Sequence, residues 1–147
     1  MNLSPLNLVD YKIKSFSFKS VDGLEENELN INAAKISCTQ TLRVNKDNES
    51  LQMVVLKITI TNKEDMVFPY TISLEICGIF ETSQIPKEHL QRGVVLRSGT
   101  SVLLGAAREY IYTMTAHGIY GPLMFPTLSL LPQSKCEKKK LSEEEKS

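Results

Sequence analysis

The side chains in this 147-residue sequence that could do chemistry are few and poorly grouped. His89 and His117 stand far apart with no carboxylate motif around either, which is neither metal-ligand spacing nor a nucleophile with its base. Arg108 and Glu109 are adjacent, and the plainer reading of that pair is an ion pair anchoring a helix. Cys38, Cys77 and Cys136 are odd in number and widely spaced, which argues against a disulfide framework. Cys77, next to Gly78, reads as a small packed hydrophobe with no nearby cation to activate it. There is no nucleophile elbow and no glycine-rich phosphate loop. The chain is expected not to be an enzyme and to use no metal or cofactor.

The chemistry on offer is recognition by apolar contact. Tyr110, Tyr112, Met114, Ile119, Tyr120, Leu123, Met124 and Phe125 fall within one helical stretch and the loop after it. Two readings compete for them: packing of helix against sheet, or a groove for unfolded polypeptide. Flexible thioethers and amphipathic rings fit many partners without fixed geometry. An extended chain loses much entropy on ordering, so such a groove works through many weak contacts joined by avidity, without ATP. Ile36, Cys38 and Leu42, on one parity of an upstream strand, are added as candidates.

These residues need a scaffold, and hydrophobic period supplies one. Residues 11–19, YKIKSFSFK, read as a first strand whose apolar parity switches between Ile13 and Phe16, predicting a bulge. Residues 33–44 form a second strand, and 45–50 a turn rich in Asn and Asp. Residues 51–62 are the clearest strand, with Val54, Leu56, Ile58 and Ile60 on one face. After a polar turn and Pro69, residues 70–80 place Ile72, Leu74 and Ile76 on one face. Pro86 opens a short helix closed by Gly93. Ser98 to Ser101 then reads as the cap of a helix over 102–117, which Gly118 stops in a C′ position. Residues 119–131 hold three prolines among apolar residues and read as an extended packed segment. From Ser134 the chain is charged, so 134–147 is expected to be a disordered tail after a single domain over 1–133.

Composition narrows the partners. Apolar residues make up 41% and charged residues 23%, as in folded domains. Lys plus Arg and Asp plus Glu balance at 17 each, so no net field draws the chain to nucleic acid or anionic lipid. The apolar run around 102–104 is far too short for membrane insertion. Residues 1–14 show no basic leader or cleavage motif. With the unpaired thiols, this leads to the expectation of a cytoplasmic protein.

Five short motifs, in order, carry a resemblance: YKIKSFSFK at 11–19, LQMVVLKITIT at 51–61, Gly78-Ile79-Phe80, Ala107-Arg108-Glu109, and Gly118-Ile119-Tyr120-Gly121-Pro122 running into Leu123-Met124-Phe125-Pro126. Over residues 10–131 they resemble the SecB family of export chaperones. Departures exist: Ser98-Gly99-Thr100 and Leu104-Gly105-Ala106 replace the family's Cys-Pro-Asn and Phe-Pro-Tyr, and Pro132 stands where a second helix would follow. The family is strongly acidic and docks the translocase motor through acidic and C-terminal residues, whereas this chain is neutral. A SecB-like chaperone of the kind found beside toxin–antitoxin pairs therefore fits better than a general export factor.

The resemblance implies an α+β fold, with a four-stranded antiparallel sheet and helices packed on one face. It implies a holdase for unfolded clients, which could be export precursors or an antitoxin, with the translocase motor as a further partner. It also implies a homo-oligomer, a dimer or a dimer of dimers. One helix and a loop look like little cover for four strands, so Leu56, Ile58, Ile72, Leu74 and Ile76 are expected to close an interface between copies. The rival reading is an α+β domain holding a small apolar ligand between helix and sheet.

Overall fold

Period-two alternation of apolar residues builds the sheet. The computed structural model describes residues 6–21, 29–90, 93–126 and 128. Strands β1 (Asn7–Ser20), β2 (Ala34–Val44), β3 (Leu51–Asn62) and β4 (Tyr70–Glu81) form one antiparallel sheet in the order β1-β4-β3-β2. β2, β3 and β4 are joined by tight turns, and β1 lies beside β4, giving a Greek-key arrangement. The first turn is shaped by Asn45, whose side-chain oxygen accepts from the Asp47 N–H at 2.9 Å. In the second, Asp65 takes the left-handed conformation (φ 63°) that Asp tolerates. The expected bulge exists: the β1–β4 register slips between Ile13 and Ser15, and again between Leu8 and Asp10.

Helix α1 (Lys87–Leu90) is one turn long, and α2 (Val94–Thr115) runs 22 residues across one face of the sheet. α2 starts well before the expected residue 102. Ser98-Gly99-Thr100 lies inside the helix because Gly99 and Thr100 face the sheet, where a Cβ on Gly99 would stand 2.8 Å from Val54 Cγ2. Gly93, expected to end α1, instead precedes α2 as its N-cap. At the other end α2 stops at Thr115, short of His117. Gly118 is not a left-handed stop, since the positive-φ glycines among the described residues are Gly93 and Gly121. It is needed because a Cβ there would run into the Tyr70 hydroxyl.

The inward face of the sheet is sealed over its central strands, β3 and β4. Leu56, Ile58, Leu74 and Ile76 are 0% exposed and Ile72 1%, so the five residues expected between copies are core of a single protomer. The reason is length: a 22-residue helix spans about 33 Å, close to the ~40 Å of a twelve-residue strand. Residues 119–126, here termed the strap, complete the cover, with Tyr120, Leu123 and Phe125 buried. The charged segment 134–147, with Cys136, lies outside the described residues.

Candidate functional site

The strap is the local structure on which the candidate residues hang. It turns back at Gly121 and runs along α2, tied at successive points. The Tyr70 hydroxyl donates to the Gly121 carbonyl at 2.8 Å and accepts from the Tyr120 N–H at 3.0 Å. The Tyr120 hydroxyl donates to the Val21 carbonyl. Thr115 Oγ1 accepts from the Leu123 N–H at 2.8 Å while donating to the Ile111 carbonyl at 2.6 Å. Arg108 Nε donates to the Phe125 carbonyl at 2.9 Å. Arg108 therefore anchors the strap's backbone to α2. Burial raises the Tyr70 phenol above its ordinary pKa, against the lowering effect of the Tyr120 N–H, so it stays neutral and keeps both roles.

These ties sort the sequence candidates. Tyr120, Leu123, Phe125 and Leu42 point inward and are buried, so they hold the scaffold and present no free surface. Tyr110 is half-buried and meets Phe16 of β1 edge-on, with ring centroids 5.1 Å apart. Phe18 meets Tyr70 in the same way at 5.1 Å, continuing an aromatic row to Tyr120. Four candidates face outward: Tyr112 and Met114 at 40%, Met124 at 62% and Ile119 at 67% exposed.

Helical spacing places Tyr112 and Met114 on opposite flanks of α2. Tyr112 shares the flank of Arg108 and Thr115, along which residues 123–125 run, so it lies on the side of Met124. Met114 follows Tyr110 on the flank toward β1. Ile119 sits in the turn between. Sequence reasoning missed Val21, Met66 and Val67, which are exposed at this same end of the molecule. The Val21 N–H bonds the Pro69 carbonyl at 2.8 Å, beside Tyr70. Val21 opens a polar, acidic stretch that reads as a long connection, and Met66 and Val67 lie between the polar turn at 62–65 and Pro69, where that apolar pair is the signal.

On β2, Ile36 and Cys38 pair with Ile60 and Ile58 and are half-buried on the sheet's inward side. Burial pushes the Cys38 thiol up to about 11. Both histidines are exposed, and no cluster of three or more potential metal ligands occurs among the described residues. No helix among them is long and apolar enough to cross a membrane.

The family model described as preprotein translocase subunit SecB matches residues 3–130. Among solved structures, a SecB-like chaperone of Mycobacterium tuberculosis, in complex with a ChAD peptide from an antitoxin, shares the fold. Its TM-score is 0.61 at 16% identity, over 84% of this chain and 88% of that one. A Streptococcus agalactiae protein of unknown function aligns with a TM-score of 0.44 at 12% identity, over 83% and 97% of the two chains. No curated protein matches.

Proposed function

The chain belongs to the SecB family, whose members act as chaperones in general, and from that premise we propose that it is an ATP-independent holdase for non-native polypeptide. The carrying observation is the exposed apolar surface around α2 and the strap: Tyr112 and Met124 on one flank, Met114 on the other, and Ile119 in the turn between. These side chains are mobile and amphipathic, but the backbone beneath them is tied down by Tyr70, Thr115 and Arg108. A rigid base carrying adaptable side chains suits extended chains of varied sequence, because little order has to be imposed on the protein itself. The half-covered inward side of β2, at Ile36 and Cys38, adds a second apolar strip on this reading.

Clients on this reading are export precursors or a labile partner such as an antitoxin, met in the cytoplasm. The antitoxin peptide seen on the M. tuberculosis relative supports the second kind. The translocase motor is a further partner. Self-association, as a dimer or a dimer of dimers, uses outward surface such as Val102 on α2 rather than the sealed sheet face. The rival apolar-ligand pocket has little room, since Gly99 lies tight against Val54 and Phe80 between helix and sheet.

The test is light scattering of an aggregating client with wild type and with a Met114→Asp, Ile119→Asp, Met124→Asp triple variant. Suppression should be lost in the variant while its circular dichroism and thermal melting stay as in wild type, because all three side chains are solvent-facing. Equal suppression by both proteins would falsify this assignment of the surface.

A further inference from the structure

We propose that the edge of β2 takes up clients by strand addition: an extended segment, apolar at alternate residues, pairs its backbone with residues 35–41. On the holdase reading this edge belongs to the client surface, and strand addition rests on that reading. The β2–β3 register shows which backbone groups are open. The Ala33 carbonyl accepts from the Lys63 N–H at 3.0 Å, and the Asn45 N–H reaches the Leu51 carbonyl at 3.1 Å. Continued through the ladder, these bonds make Lys35, Ser37, Thr39, Thr41 and Arg43 the positions that bond β3. The N–H and C=O groups of Ile36, Cys38 and Gln40 therefore point away from β3, and no described segment takes them up. The side chains of these three residues lie on the inward side and are half-buried, because α2 packs mainly on β3 and β4. Open backbone and half-covered side chains thus belong to the same residues.

The two edges of the sheet differ. β1 slips register between Leu8 and Asp10 and between Ile13 and Ser15, which interrupts any continuous pairing along it. β2 pairs without a slip from Ala34 to Val44 and contains no proline or glycine. Lys35 and Arg43 stand near its ends, and residues 36–42, ISCTQTL, carry no charge. Folded proteins commonly blunt an open edge with bulges, prolines or charges. The middle of β2 has none of the three.

The register also sets the chemistry of the occupant. In antiparallel pairing, residues directly opposite each other project to the same side of the sheet, and those opposite Ile36, Cys38 and Gln40 exchange both backbone bonds. An incoming segment therefore needs apolar side chains opposite Ile36 and Cys38. Opposite Ser37, Thr39 and Thr41, hydroxyl side chains make favourable cross-strand pairs. Proline is barred from the bonded positions because it has no N–H to give. β2 of a second copy fits less well, since the pairing of longest overlap sets Lys35 directly against Arg43 at both ends. Non-native polypeptide meets the pattern wherever a strand has not yet found its own sheet.

The experiment is fluorescence anisotropy of a labelled peptide alternating Val and Thr, titrated with the full chain. Beside it run two N-methylated forms, one methylated at the Val amides and one at the Thr amides. Antiparallel addition turns the Val amides toward β2, so methylation there should weaken binding roughly tenfold or more. Methylated Thr amides face away and should change it less than about threefold. Gln40→Pro deletes an edge N–H without touching the β2–β3 ladder and should weaken binding likewise. Gln40→Ala keeps the amide and should bind as wild type does. Circular dichroism reports whether Gln40→Pro folds, and the methylated peptides decide the matter if it does not. Any other methylation pattern, or equal binding by two folded Gln40 variants, overturns strand addition. Aggregation suppression that persists in that case leaves the holdase reading standing on side-chain contacts alone, whereas a wild type that neither binds the peptide nor suppresses aggregation sinks both. A fall in solution mass on Gln40→Pro overturns the proposal by making the edge a contact between copies. Tighter peptide binding after Leu130→Asp and Leu131→Asp also does so, by making the chain's own segment the occupant.

Discussion

Strands β3 and β4 show two faces built from alternate positions of the same residues, and the two faces have opposite fates. Val54, Leu56, Ile58 and Ile60 vanish under α2 and the strap, while Met53, Val55, Lys57 and Thr59 keep contact with water. Both faces are rich in β-branched and aliphatic residues, so hydrophobicity alone does not say which is covered. What decides is whether each position on a face is apolar. One unbroken apolar row recruits a helix along its whole length. The outward row is interrupted by Lys57 and Thr59, so it stays open. The surplus apolar surface that a holdase needs therefore lies on α2, the strap, the adjoining turns and the inward edge at β2, away from the sealed centre of the sheet's inner face.

The strongest way to break this contrast is matched truncation on the two faces. Leu74→Ala removes a fully buried side chain beneath α2 and should cost about 2–5 kcal/mol. Val55→Ala, on the same sheet but outward and half-buried, should cost roughly 1 kcal/mol or less. Chemical denaturation of both variants measures the difference. Similar losses would mean that the outward face is also buried, in an assembly of copies.

The sheet was legible because its signals are local. Period-two alternation marked β3 and β4, and the parity switch after Ile13 marked a bulge without any partner strand in view. The start of α2 was not legible. Ser98-Gly99-Thr100 is good capping chemistry, and local rules chose the cap. Packing chose otherwise, because a small residue at 99 lets the helix approach Val54 and Phe80. The missed eight residues are also why the inner face looked undercovered and why its core was taken for an interface. Within the strap, composition showed which residues belonged together but not which pointed out. The inward set of Tyr120, Leu123 and Phe125 does not alternate evenly, because Gly121 turns the backbone between them.

A smaller effect tests the strap as part of the covered face. Tyr70→Phe keeps the ring but deletes the hydroxyl that both accepts from Tyr120 and donates to Gly121. Two backbone groups in a buried setting lose their partner, at a cost of about 1–3 kcal/mol. Hydrogen exchange should rise at the Tyr120 amide, with little change in β2 or β3. Aggregation suppression should fall as well if a rigid strap matters to the client surface. Wild-type exchange at Tyr120 would show that the strap is held by Thr115 and Arg108 alone.

The smallest expected effect lies at Cys38, on the seam where the covered face gives way to the open edge of β2. Burial pushes its thiol up from 9.0 to about 11, because the thiolate loses hydration that the flanking apolar residues do not replace. In a Cys77→Ser, Cys136→Ser background, alkylation by iodoacetamide should therefore be slow at pH 8 and rise toward a midpoint near pH 11. The linkage to stability has a definite sign. The folded form holds its proton more tightly than the unfolded form, so its contribution is complete below about pH 9 and is lost as pH rises through about 11. Cys38 is half-exposed, so solvent screening keeps that contribution small. Cys38→Ala should flatten the loss of stability over this interval relative to its parent. An alkylation midpoint near that of a free thiol would mean that β2's inward side is open to water, and the boundary between sealed core and client surface would then lie on β3, under Ile58 and Ile60.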